Sequence, residues 1–151
     1  MSKTASKNLF ELIKSMSKSE KRYFKVLSSR HTIGEENNYI RLFDFIEAMD
    51  EYEESNVFSH FEGEAFLNKF SITKNRLYES IIKALVVFHS NSSVDAQIYR
   101  FLHASEVLYK KSLYDHASKQ LRSAERLARK NDRLNLLLEI EKQKKKIIET
   151  Q

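Results

Sequence analysis

The chain has no cysteine, no proline and no tryptophan, and only two glycines, Gly34 and Gly63, in 151 residues. Without cysteine there is no disulfide framework and no thiolate-ligated zinc or iron–sulfur centre, which fits a reducing compartment and makes the cytoplasm the expected location. Without proline and with so little glycine, the turn chemistry of a β-sandwich or barrel is missing. Two isolated glycines cannot make a phosphate-cradling loop or a dinucleotide fingerprint, and no Gly-x-Ser-x-Gly elbow exists. No apolar run is long enough for a bilayer; the best, Ile81–Phe88, is interrupted by Lys83. Met1 to Lys7 is polar and has no leader character.

What remains is rich in good helix formers, with 41% hydrophobic residues, enough for one real core. The net charge of +5 is unevenly spread. Glu35 to Glu64 is acidic, with Arg41 its one lysine or arginine, and both ends of the chain are basic. Such asymmetry fits an anionic partner at the ends, and equally fits acidic and basic faces that meet inside the fold.

Apolar spacing predicts a first helix over Asn8–Ser15, with Leu9, Phe10, Leu12 and Ile13 on one stripe. Ser17 followed three residues later by Glu20 is a capping-box signature that opens a second helix, ending near Ser29. His31–Asn37, with Gly34, reads as a loop. Asn37 or Asn38 caps a third helix reaching about Tyr52, and Ser55 or Asn56 starts a short aromatic piece broken by Gly63. A short helix over Glu64–Phe70 follows, and Thr73 is expected to cap a long helix through Leu77, Ile81 and Leu85, apolar on three sides and the most buried element. After Asn91-Ser92-Ser93, three helices are expected at Ser93–Lys111, Tyr114–Lys130 and Asp132–Glu149, with turns at Ser112-Leu113 and near Asn131. The expected fold is all-α with about eight helices. A bundle over residues 1–91 packs on a helical segment over 92–151, the two forming one continuous unit.

Ile98 to Asn131 resembles one tetratricopeptide repeat of about 34 residues. Phe101, Ala104, Ser105 and Leu108 fill the pattern of its first helix, and Tyr114, Ala117, Leu121 and Ala124 that of its second. The usual tryptophan, the glycine of the small pair and the terminal proline are missing, and the pattern does not recur in register after Asp132. The resemblance implies an antiparallel hairpin with a peptide-binding face on its first helix, carrying Tyr99, Leu102, Glu106, Tyr109 and Lys110. The stretch from Leu12 through Ser17, Glu20 and Tyr23 to Lys25 is similar to the opening of a family of larger uncharacterised bacterial helical proteins with no assigned activity. That likeness implies that further helical repeats continue the chain. The apolar last helix, with Leu134, Leu136, Leu137, Leu138, Ile140, Ile147 and Ile148, is expected to seek a partner, which makes self-association through the C-terminal helices one expectation.

No catalytic pattern is present. The five histidines never form a His-x-x-x-His pair, and the best of them, His116 beside Asp115, has no third partner in the sequence. No metal or cofactor is expected. The leading expectation is a non-enzymatic module for protein–protein interaction or scaffolding. The alternative is DNA binding through a helix-turn-helix over residues 64–82, with Ser71 at its turn and Thr73, Lys74, Asn75 and Arg76 heading a recognition helix. The lysines 142, 144, 145 and 146 are expected in the last turns of the final helix, complementing its dipole.

Overall fold

A computed structural model describes residues 6–30 and 37–151. Among them are eight α-helices, one short 3-10 helix and no strand, so the all-α expectation holds. The expected loop over His31–Asn37 falls, apart from Asn37, outside the described residues. The chain divides into two compact units, Met1–Phe88 and His89–Gln151.

The first unit holds α1 (Asn8–Ser15), α2 (Lys18–Ser29), α3 (Asn38–Ala48), α4 (Glu54–His60), a 3-10 helix (Ala65–Lys69) and α5 (Phe70–Phe88). Local chemistry sets several of these boundaries. The Ser17 hydroxyl accepts from the Glu20 amide at 3.2 Å while the Glu20 carboxylate accepts from the Ser17 amide at 2.7 Å, closing the capping box. Asn37 Oδ1 accepts from the amides of Tyr39 and Ile40 at 3.0 and 3.3 Å, fixing the start of α3. Gly63 takes φ +84, a left-handed conformation that turns the chain after α4. The core gathers Ile13, Phe24, Leu42, Phe43, Ile46, Val57, Leu77 and Ile81. Helix α5 touches α1, α2 and α3 and organises it.

Three features differ from the sequence expectation. Helix α3 stops at Ala48, and the bend after Met49 brings the buried Tyr52 ring to 5.9 Å from Phe10. No helix starts at Thr73, because the 3-10 helix runs directly into α5 and Thr73 is buried inside it, its hydroxyl donating to the Lys69 carbonyl at 3.2 Å. Nor is α5 buried on three sides: Leu77, Ile81 and Ala84 form one inward stripe, while Ile72, Val86 and Val87 are exposed. Part of the charge asymmetry resolves within this unit. Glu47 pairs with Lys21 and Lys25 at 3.1 and 3.5 Å, Asp44 with Lys25 at 2.7 Å, and Glu64 with Arg41 at 3.0 Å.

The second unit is α6 (Val94–Lys110), α7 (Tyr114–Lys130) and α8 (Leu134–Thr150), three helices of 17 residues each. Their starting residues recur at one interval, and the two turns between them share one geometry. After α6, Ser112 takes φ 60, its amide donating to Tyr109 O at 2.9 Å and that of Leu113 to Leu108 O at 3.0 Å. After α7, Asp132 takes φ 53, with matching bonds from Asp132 to Arg129 O at 3.4 Å and from Arg133 to Ala128 O at 2.9 Å. Both are Schellman turns in which serine and aspartate occupy the place that glycine favours. Helix α7 is central, and the fully buried Ala117, Leu121, Ala124 and Ala128 let it pack closely on both neighbours. Glu125 of α7 binds Arg129 on its own helix and Lys144 of α8, and Arg133 reaches back to Asp95 at 2.6 Å.

Candidate functional site

Because α7 lies against both α6 and α8, the outer two helices meet each other only sparingly, and a cleft of about 320 Å³ opens between them. Its floor holds Ser105 of α6 and Ile147 of α8, both buried. Glu106 and Tyr109 form one wall; Glu139, Lys142, Gln143 and Lys146 form the other. At one end the Tyr109 hydroxyl shares a hydrogen bond of 2.8 Å with Thr150 Oγ1, and Lys146 Nζ stands 4.5 Å over the Tyr109 ring. This positioning fixes the ring by both its edge and its face. The cleft therefore has a small floor of one hydroxyl and one aliphatic side chain under a charged rim, both signs represented.

The rim carboxylate Glu106 is held below its ordinary value of 4.5, chiefly by its hydrogen bond and attraction to Lys110 Nζ at 2.7 Å, with His103 at 3.7 Å assisting. Lys142 lies 3.9 Å from Glu139, a loose pairing on the same helix.

Of the groove residues expected from the sequence, Glu106 and Tyr109 line the cleft. Lys110 sits beside it through its ion pair with Glu106. Leu102 is only 5% exposed and belongs to the core with Ile98, Leu121 and Ile140, so it is a core residue and not a groove anchor. Tyr99 is 57% exposed and lies outside the cleft. The residues of α8 that complete the site carry no local motif of their own. The available signal was three long helices in succession joined by short turns, which put the first and third side by side across the second.

The lysine run lies in the C-terminal half of α8, one turn before its final turn, which holds no basic residue. Its members point in different directions. Lys142 faces Glu139, Lys144 binds Glu125 and Glu141, Lys145 faces Glu149 and Lys146 covers Tyr109. Burial pulls the Lys144 ammonium down, but its bonds to Glu125 and Glu141 outweigh that and hold it above 10.5.

Of the residues heading the helix-turn-helix alternative, Lys74, Asn75 and Arg76 line a second cleft, of about 580 Å³, in the first unit, together with Ser6, Asn8 and Leu9, while Thr73 does not. The expected turn at Ser71 is absent, since Ser71 and Thr73 lie within continuous helix. Lys74 is committed to the fold: its ammonium binds Glu54 at 2.9 Å, lies 5.2 Å over Phe70 and 5.9 Å over Tyr52, and its side chain is 16% exposed. Burial pushes the Tyr52 phenol above 10.0 against the opposing pull of Lys74. Asn75 and Arg76 are exposed.

His116 and Asp115 are both exposed in the first turn of α7. Among the described residues no group of three or more His, Asp or Glu side chains is arranged to hold a metal, and no helix is long and apolar enough to cross a membrane. Comparison with protein-family models, with curated proteins and with solved structures finds no match for this chain.

Proposed function

We propose that the chain is a non-enzymatic protein–protein interaction module whose α6–α8 cleft receives a peptide segment of a protein partner. The observation that carries this reading is the Tyr109–Lys146–Ile147 group, an aromatic face, a cation and an aliphatic floor in one cleft. The Lys146 ammonium is set over a ring and not against a carboxylate, so an incoming carboxylate can engage it without first breaking an ion pair. The complementary peptide carries an apolar anchor for Ile147 and Tyr109 and an acidic group for Lys146, with Glu106 and Glu139 disfavouring additional acids. The tetratricopeptide resemblance of residues 98–131 supports the same reading, as does a first-and-third-helix cleft of the kind stacked helical repeats use. The absence of cysteine supports a cytoplasmic setting.

A peptide array that varies acidic and aliphatic positions tests the proposal. Binding of the selected peptides is expected to weaken at least about tenfold in Lys146→Glu and in Tyr109→Ala. Equal binding by both variants overturns it.

Nucleic-acid binding stands second. It rests on Asn75 and Arg76 at the larger cleft, since Lys74 is held by Glu54. Duplex affinity that falls steeply with salt and is lost in Arg76→Glu would raise it to first place.

A further inference from the structure

The face of α8 turned away from its buried Leu136, Ile140 and Ile147 is apolar at both ends. Leu134, Leu138 and Ile148 are 71%, 68% and 73% exposed. Between them on the same stripe stand Glu141 and Lys145, also exposed. Residues 134, 138, 141, 145 and 148 alternate spacings of four and three, which is the seam of a two-helix coiled coil.

Four of these positions have a spacing that is the same in either direction, with the two charges exchanging places on reversal. From 138 to 148 the spacings are three, four, three, and the residues are apolar, acidic, basic, apolar. We infer that α8 pairs with α8 of a second copy of this chain, antiparallel, about a two-fold axis level with residue 143. That register places Leu138 against the second copy's Ile148 and Glu141 against its Lys145, and the symmetry repeats both layers. Within these four layers each apolar residue then meets an apolar one and each charge its opposite. A parallel pair would set Glu141 against Glu141 and Lys145 against Lys145, so the charges select the antiparallel arrangement.

The pairing exchanges two exposed contacts within the helix, Glu141–Lys144 at 3.3 Å and Lys145–Glu149 at 3.7 Å, for contacts between copies. Exposed pairs of this kind contribute little, so their loss does not oppose association. Lys142 flanks the axis in both copies, at a solvated rim where like charge is screened. Leu134 lies beyond the four layers. A seam this short buries less than a permanent dimer requires, so the association is reversible and concentration-dependent. None of the four seam residues lines the α6–α8 cleft, so peptide binding and self-pairing are separable.

Sedimentation equilibrium of the whole chain from about 10 µM to 1 mM gives the test. The expected result is a reversible monomer–dimer equilibrium that Ile148→Glu weakens at least about tenfold, with the helical circular dichroism unchanged. Glu141→Lys alone sets lysine against Lys145 of the second copy and weakens the dimer by a similar factor; adding Lys145→Glu in the same chain restores it. A chain that stays monomeric over the whole range overturns the inference. So does a dimer indifferent to Ile148→Glu, or one that the second charge reversal fails to restore.

Discussion

Tyr109, one residue before the end of α6, and Thr150, the last residue of α8, share a hydrogen bond of 2.8 Å between their hydroxyls. The bond joins two helices that are not consecutive in the chain, and it closes one end of the cleft. It also supports the terminal turn of α8, where Thr150 donates to the Lys146 carbonyl at 2.8 Å or shares with Tyr109. Tyr109→Phe keeps the ring under Lys146 and removes only this bond. Since the bond is exposed, the expected loss of stability is about 0.5 kcal/mol. Hydrogen exchange is the sharper readout: the amides of Ile147 to Thr150 exchange faster while those of α7 do not change. Uniform exchange in both proteins would show that the bond contributes nothing.

Ala117 is fully buried where α7 meets α6. Ala117→Leu inserts a branched side chain into a contact with no room for it, and is expected to destabilise the second unit by about 1–3 kcal/mol. Urea unfolding followed by helical signal measures this. An unchanged midpoint would mean that the close approach of the two helices is not as described.

Lys74 and Arg76 are two residues apart and behave oppositely. Lys74→Glu faces the Glu54 carboxylate with a like charge beside the buried Tyr52 ring, and is expected to cost about 1–3 kcal/mol after allowance for partial exposure. Arg76→Glu changes an exposed side chain, and its effect is expected to stay within about 0.5 kcal/mol. Thermal melts of the two variants side by side decide the matter, and equal midpoints would remove the structural role assigned to Lys74.

Acid acts on the second unit through Glu125. Its hydrogen bonds to Lys144 and then Arg129 hold the carboxyl below the ordinary 4.5. A carboxylate depressed by folding stabilises the native state above its unfolded value, and that contribution disappears as pH falls through 4.5 and then through the lower folded value. Stability is therefore expected to decline on acidification below that point, and Glu125→Gln to decline less steeply. Parallel pH profiles of the two proteins would disprove the assignment.

Some of these features were open to a reader of the sequence because they are local. Ser17 and Glu20 satisfy each other's backbone within one turn, so their spacing announces α2 without reference to the rest of the chain. Asn37 and Ser93 announce α3 and α6 for the same reason. Where local signals compete, the outcome was not legible. Thr73 has the chemistry of a cap, yet its hydroxyl bonds backward to Lys69 because the preceding residues continue as helix. Leu102 and Tyr99 are three apart on one helix and both looked suited to a groove; packing against α7 buries the first and leaves the second exposed. Half of the candidate site, on α8, lies thirty or more residues from Glu106 and Tyr109 in sequence, and no motif links the two.

Composition and periodicity alone determined that this chain is helical, where most of its helices begin, and that it lacks the glycine and cysteine patterns of several catalytic classes. Those properties depend on residues within a turn or two of each other. Only the tertiary structure decided which face of each helix is buried, which lysines are committed to ion pairs, and that α6 and α8 flank a cleft across α7. Such choices rest on contacts between distant segments, where burial and pairing select among side chains that the sequence presents as equals.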